Sequence, residues 1–187
     1  MNPRHLLQLF YKPGSQAYEI LVRHGELVAG KALAVAEQVS HLLPDRTFIA
    51  EAAMLHDIGI FLTASPTIGC TGSYPYICHG YLGREILEEC GLAEHALVCE
   101  RHVGVGLTKA DIRQFSLPLP KRDMVPVTLE EQIICYADKF FSKNGRNQVQ
   151  TNGIARVIQG LEPYGAEKVQ RFKAWAHRFE GQGCDVN

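Results

Sequence analysis

The chain has 187 residues, 46% hydrophobic and 21% charged, a balance that fits one soluble globular domain. Its formal net charge is −1, so no basic face is advertised for nucleic acid or an anionic membrane. No apolar stretch approaches the roughly 20 residues that span a bilayer, and the start "MNPRHLLQLFYKPG" lacks a small-residue cleavage site. These features point to a cytoplasmic protein without nucleic-acid or membrane partners.

Helix-period apolar residues run through "SQAYEILV" from Ser15 and "HGELVAGKALAVAEQVSHLL" from His24. Within the second run, "GELVAGKA" approximates a phosphate-binding P-loop. Ala32 stands where the magnesium-holding hydroxyl belongs and no strand precedes it, so a small-residue helix is the better reading. Pro44 and Asp45 break the pattern. Asp45 can cap the next helix, which is expected to reach "EAAMLHD" before Gly59 and, being apolar nearly all round, to lie centrally.

Residues 62–78 form a long loop rich in Gly, Ser, Thr, Pro and Tyr, and a loop of that length is more often functional than idle. Helical patterns resume at "HGYLGREILEEC", with Gly91 as the expected C-cap, and at "AEHALVCERH". A proline-containing loop, 116–127, delivers Thr128 and Glu131, at capping-box spacing, into "EEQIICYADKFF". After the polar stretch 142–153, a last helix is expected through "AEKVQRFKAWAHRFEG". With no strand alternation, internal repeat or low-complexity tract, the reading is a compact all-α helical bundle. One domain covers 1–187, with its core at about 17–145 and a C-terminal helical extension at about 153–181.

The six cysteines show no C-x-x-C spacing. Cys90, Cys99 and Cys135 fall in helical, apolar contexts where a reduced Cys acts as a small hydrophobe, which fits a reducing compartment. The eight histidines are more telling. In "AAMLHDIGIF" His56 and Asp57 stand side by side in an apolar run, where unpaired ionised groups are costly. On a helix, neighbours point about 100° apart, but two unlike side chains can still converge on one ion. His24 and His79 begin helices, His102 ends one, and Asp138 sits mid-helix in "YADKFF". A carboxylate inside such a run needs a partner, and a metal serves. His5, His41, His95 and His177 fit surface or helix-end roles.

His24, then His56-Asp57 within "LHDIG", then Asp138 within "YADK", resembles the HD superfamily of metal-dependent phosphohydrolases, over roughly residues 17–145. "HDIG" is the signature of a large subgroup. His79 and His102 match the two extra histidines of the dinuclear branch, which includes dinucleoside-tetraphosphate hydrolases and cyclic-dinucleotide phosphodiesterases. "HVGVGLTKADI" is similar to the Gly-containing loop that follows the last histidine there. The G-Y-P triplet of the cyclic-dinucleotide enzymes is absent; the nearest match, "GSYPY", precedes His79, so that subgroup carries less weight.

The resemblance implies one metal held by His24, His56, Asp57 and Asp138, and another by His79, His102 and the second oxygen of Asp57. Two metals about 4 Å apart lower the pKa of a bridging water and hold attacking and leaving oxygens. The ligand types favour Fe or Mn, with Zn, Co, Ni or Mg as alternatives. Asp57 is then central to catalysis. Lys139 and Lys109 are the leading phosphate clamps; Arg23, Lys143 and Arg146 are weaker candidates. Loop residues Ser65, Thr67, Thr71, Ser73, Tyr74 and Tyr76 are positioned to fold over the site. The expected activity is hydrolysis of a phosphate ester or anhydride of a small phosphorylated molecule or nucleotide, with a homodimer as the expected assembly if the chain self-associates. The alternatives are an HD-fold di-iron oxygenase acting on a phosphonate or polyol, and a nucleotide-binding sensor.

Overall fold

The computed structural model describes residues 1–144 and 148–181. Arg146 and Cys184 lie outside them. A short α1 (Pro3–Leu7) is followed by the long α2 (Gln16–Gln38), capped by Ser15, whose hydroxyl accepts from the Tyr18 N–H. The two helical runs read from the sequence are therefore one helix, and His24 sits inside it rather than at its start. The P-loop-like stretch also lies within α2, as a helix requires.

Asp45 caps α3 (Arg46–Leu55) by accepting the Phe48 N–H at 2.9 Å. This helix ends two residues earlier than expected. His56 is its C-cap, and Asp57 has left helical geometry at φ −105°. The chain turns there because it must clear α4 (His79–Glu89), and Gly59 permits the approach. A Cβ on Gly59 would lie 2.3 Å from the His79 carbonyl oxygen and 2.5 Å from the Gly83 nitrogen. That contact places the end of α3 against the start of α4.

Next come α5 (Ala93–Arg101), α6 (Lys109–Gln114) and α7 (Leu129–Asp138). Gly91 takes the left-handed conformation and ends α4, one residue past the Cys90 C-cap rather than at the cap itself. At α7 only half of the expected box forms. Thr128 accepts the Glu131 N–H, but the Glu131 carboxylate turns to Arg101 and the Val127 N–H instead. The reciprocal box occurs at α6, between Thr108 and Asp111.

The bundle is mainly helical, as read, with two small antiparallel ribbons added: β1 (Ala64–Ser65) with β2 (Cys70–Thr71), and β3 (Phe141–Asn144) with β4 (Gln148–Thr151). Neither shows in the sequence pattern, because the first is two residues long and the second is polar. The C-terminal helices α8 (Ile154–Leu161) and α9 (Ala166–Glu180) close the structure. Tyr136 of α7 is fully buried between Phe140, Phe172 and Phe179, and its hydroxyl donates to Glu180 at 3.0 Å. Phe172 and Trp175 share the main apolar cluster with Val28, Val35, Ile49 and Ile133, so α9 belongs to the same core as α2, α3 and α7. Cys99 and Cys135 are buried as expected; Cys90, at the C-cap of α4, is exposed, because the chain leaves the core there. No helix among the described residues is long and apolar enough to cross a membrane.

Candidate metal centre

Five segments meet at one point. His24 comes from the middle of α2, His56 and Asp57 from the turn after α3, His79 from the first residue of α4, His102 from the C-cap of α5, and Asp138 from the last residue of α7. Asp138 is thus at a helix end, not mid-helix. All six are buried, Asp138 being the most exposed at 8%.

The four imidazoles present Nε2 to the same small volume. His24 and His56 Nε2 are 3.2 Å apart, and His79 and His102 Nε2 are 3.1 Å apart. Three of the rings are fixed through Nδ1, which bonds the carbonyl three residues back: His56 to Ala53 at 2.7 Å, His79 to Tyr76 at 2.6 Å, His102 to Cys99 at 2.7 Å. A carbonyl only accepts, so Nδ1 carries the proton, and a neutral ring then has a bare lone pair at Nε2. This is how metal-ligating histidines are usually oriented.

Asp57 separates the rings into two pairs. Its Oδ2 lies 3.3 Å from His24 Nε2 and 3.2 Å from His56 Nε2. Its Oδ1 lies 3.4 Å from His79 Nε2 and 3.5 Å from His102 Nε2. Asp138 Oδ1 completes the first group at 3.0 Å from His24 and 3.4 Å from His56. Among the described residues Asp57 Oδ1 and His24 Nδ1 have no hydrogen-bond partner. Asp57 Oδ1 with the His79 and His102 lone pairs is a cluster of three acceptors, which repel one another unless a cation sits between them. Two sets, His24/His56/Asp138 and His56/Asp57/His102, bring ligand atoms close enough for one ion. The donor set fits divalent cations.

Titration sets His56 apart from the other three rings. Burial lowers His79 to about 3 and also lowers His102. Burial and the Lys143 charge lower His24 to about 4. Burial opposes protonation of His56 too, but Asp57 and Asp138 overcome it and lift the ring to about 9. Both carboxyls are pushed up by burial, yet their neighbours hold them well below the usual range: the His56 and Lys143 charges at Asp57, the Lys139 charge and a hydrogen bond with His24 at Asp138.

A cleft of about 740 Å³ opens onto Asp138, Lys139 and Lys143, with Ser65, Thr67 and Tyr76 from the 62–78 loop on its wall. Lys139 Nζ is 2.8 Å from Asp138 Oδ2; the helix ends before it, so its stem folds back toward the centre. Lys143, on β3, reaches 2.5 Å from Asp57 Oδ2 and 3.1 Å from His24 Nε2, closer than a weak candidate was expected to come. Lys109 does not join them. It is exposed at the start of α6, its backbone N–H bound to Asp123, and it does not line the cleft. Arg23 is exposed on α2, and Thr71, Ser73 and Tyr74 also stay off the wall. Asn152 and Arg156 line the cleft without any sequence signal to single them out.

Behind the centre, Tyr11 donates to the Ile58 carbonyl at 2.8 Å and accepts the Phe61 N–H at 2.9 Å, bracing the turn that carries Asp57. Cys99 Sγ lies 2.9 Å from the His56 carbonyl.

Across its whole length the chain matches the HD domain of the phosphodiesterase PgpH from L. monocytogenes, solved in complex with cyclic-di-AMP, with a TM-score of 0.52 and 15% identity. A second structure of the same domain gives 0.50 and 16%, covering 88% of this chain and 95% of that one. The chain has the HD-domain fold, with a buried His/Asp cluster consistent with the metal site of that fold. In sequence it is 39% identical over 116 residues to an uncharacterized protein of Methanocaldococcus jannaschii, covering 62% of this chain and 60% of that one. It is 29% identical over 180 residues to a tRNA (cytidine(56)-2'-O)-methyltransferase of Thermoplasma volcanium, covering 96% of this chain and 48% of that one. The same-named protein of Picrophilus torridus is 32% identical over 127 residues, 67% of this chain and 33% of that one. The chain therefore spans between a third and three-fifths of the length of these relatives. No family model matches it.

Proposed function

We propose that the chain is a metal-dependent phosphohydrolase that cleaves a phosphate ester or anhydride of a small molecule or nucleotide. One observation carries this reading: the two oxygens of a single buried carboxylate, Asp57, each face a separate pair of imidazole Nε2 atoms. His24, His56, Asp138 and Asp57 Oδ2 would hold one divalent cation; His79, His102 and Asp57 Oδ1 would hold a second. Bound there, such ions supply Lewis-acid activation of water and neutralisation of phosphate charge.

The chain's own groups supply the rest. Lys139 and Lys143 put two ammonium groups on the cleft beside the metal ligands, where phosphate oxygens need positive charge. Tyr76, 41% exposed, leans over His79 with ring centroids 4.7 Å apart, and its phenol stays protonated near neutral pH as a tyrosine ordinarily does. It can therefore donate a hydrogen bond to substrate. Ser65, Thr67 and Asn152 add neutral polar groups to the wall. The cleft volume suits a small molecule.

Methyl transfer to tRNA is named for relatives two to three times as long as the part matched here, and it is not carried over. The oxygenase alternative shares the ligand types. Two lysines beside the centre favour a phosphorylated substrate over an uncharged polyol. The test is metal analysis of protein purified without chelator, followed by a phosphatase screen in air and under nitrogen. Phosphate release at equal rates in both atmospheres is expected. Turnover that requires dioxygen would overturn the hydrolytic reading.

A further inference from the structure

A second cavity, of about 360 Å³, shares Gly104 and Leu161 with the cleft. Its lining is apolar: Ile77, Val103, Leu107 and Leu117, with the rings of Phe115 and Tyr164. Those two rings meet edge to face, centroids 6.3 Å apart, yet stay 40% and 58% exposed. Such exposure of paired aromatic surface marks a place where an apolar group can be covered.

The cavity is tied to the metal centre through the backbone. Ile77 lies two residues before His79, and Val103 directly follows His102. The segments that orient both ligands on the Asp57 Oδ1 side are thus also walls of this cavity. Where cavity and cleft adjoin, Gly104 takes φ +64°, and a Cβ there would meet nothing within 4 Å. The seam is walled by this glycine, which adds no side chain, and by Leu161.

Chemistry narrows the occupant. The charged groups on the lining are Lys168 and Asp111, and they are paired with each other. Lys168 also donates to the Gly106 carbonyl at 3.2 Å, and Asp111 accepts the Thr108 N–H at 2.6 Å. An ionic ligand would lose its water here and find no free partner, whereas a hydrocarbon gains from burial.

We propose that this cavity takes the uncharged apolar end of the substrate, an alkyl or aryl group, while the phosphate lies in the cleft beside Lys139 and Lys143. The proposal rests on the phosphohydrolase reading for its phosphate half.

The probes are straight-chain alkylphosphonates from methyl to hexyl, whose P–C bond resists hydrolysis, titrated calorimetrically into metal-loaded protein under nitrogen. Each added methylene is expected to tighten binding about fourfold until the cavity fills, the equivalent of about 0.8 kcal/mol per buried CH₂. Leu117→Trp, which fills the cavity, should abolish that dependence and leave methylphosphonate binding unchanged. Phe115→Ala, at an exposed position that folding tolerates, should weaken hexylphosphonate several-fold and methylphosphonate not at all. Equal affinity for methyl and hexyl, or a chain-length dependence unchanged in both variants, overturns the proposal. Hydrolysis of the matching alkyl phosphates is read separately. Length-dependent phosphonate binding without hydrolysis of any of them supports the cavity and sinks the reaction.

Discussion

The two oxygens of Asp57 face unlike company. On the Oδ2 side are His24, His56, the Asp138 carboxylate and the Lys143 ammonium; on the Oδ1 side, among the described residues, are His79 and His102 alone. The first side brings two carboxylates to a cation, the second shares one. Burial holds the second pair of rings neutral, while His56 on the first side carries a proton up to about 9. On the two-metal reading, a cation would be held more tightly on the first side, but would have to displace a proton from His56 and the Lys143 ammonium to enter. A cation on the second side would bind later, need no proton release near neutral pH, and have fewer protein ligands, which would leave more room for substrate oxygens.

The largest effect should come from removing what the two sides share. Asp57→Ala is expected to strip both metals and all turnover, measured as metal per chain by mass spectrometry. Metal content equal to wild type would break the comparison at its centre. His79→Ala touches one side only. It should lower the content from two metals per chain to one, with the tighter site intact; loss of both would mean that the sides are not separable.

Charge on the cleft comes next. Contacts between an ammonium and a phosphate are worth roughly 1.5–3 kcal/mol, so Lys139→Met or Lys143→Met should slow hydrolysis of a phosphate ester roughly ten- to a hundredfold. Metal content should hold in Lys139→Met and hold or rise in Lys143→Met, because the latter frees Asp57 Oδ2. An unchanged rate in either variant removes that lysine from the phosphate site.

Acid should separate His56 from the other rings in the metal-free protein. An unfolded histidine titrates near 6.5, but folded His79 sits at about 3 and His24 at about 4, both through burial first. Below pH 6.5 the unfolded chain takes up protons that the folded chain refuses. Stability then falls by about 1.4 kcal/mol per pH unit for each ring until its folded value is reached. His56 has the opposite sign: its contribution is complete below 6.5 and is lost as pH rises through 9. Urea midpoints measured from pH 4 to 9.5 should fall at both ends, and His79→Gln should make the acid limb shallower and leave the alkaline limb as it is. A flat acid limb in the wild type would show that these rings are not held neutral.

Much of this centre is legible in residue types. Six ligand-type residues in apolar or helix-end contexts are picked out by the cost of burying them unpaired. Their backbone settings are less legible: His24 inside one long helix, Asp57 beyond the end of α3, Asp138 at the end of α7. Periodicity cannot locate those ends, because Gly59, which lets α4 close in, acts through a contact 20 residues away in sequence. Lys143 ranks below Lys109 in the sequence for a similar reason. The Gly-containing loop after His102 favours Lys109, which stays off the cleft, and only the pairing of β3 with β4 carries Lys143 inward. The apolar cavity left no trace at all, since its walls come from three separated segments.

Tyr11 gives the smallest expected effect and tests how stiffly the shared carboxylate must be held. It lies outside the region that resembles the family, and its ring is buried at 4% exposure. Burial raises its pKa well above the usual value, so the hydroxyl stays a donor to Ile58 while accepting from Phe61. Tyr11→Phe keeps the ring's packing against Phe61 and removes only the bridge across the turn. Leaving the part-buried Phe61 N–H without its acceptor costs about 1 kcal/mol of stability. Because Tyr11 touches no metal ligand directly, the centre should loosen rather than fail. Metal affinity is expected to fall a few-fold on both sides of Asp57 together, with kcat changed less than affinity. A loss confined to one side would mean that the turn positions only one carboxylate oxygen. No loss at all, with stability reduced as expected, would make Tyr11 a residue of the fold alone.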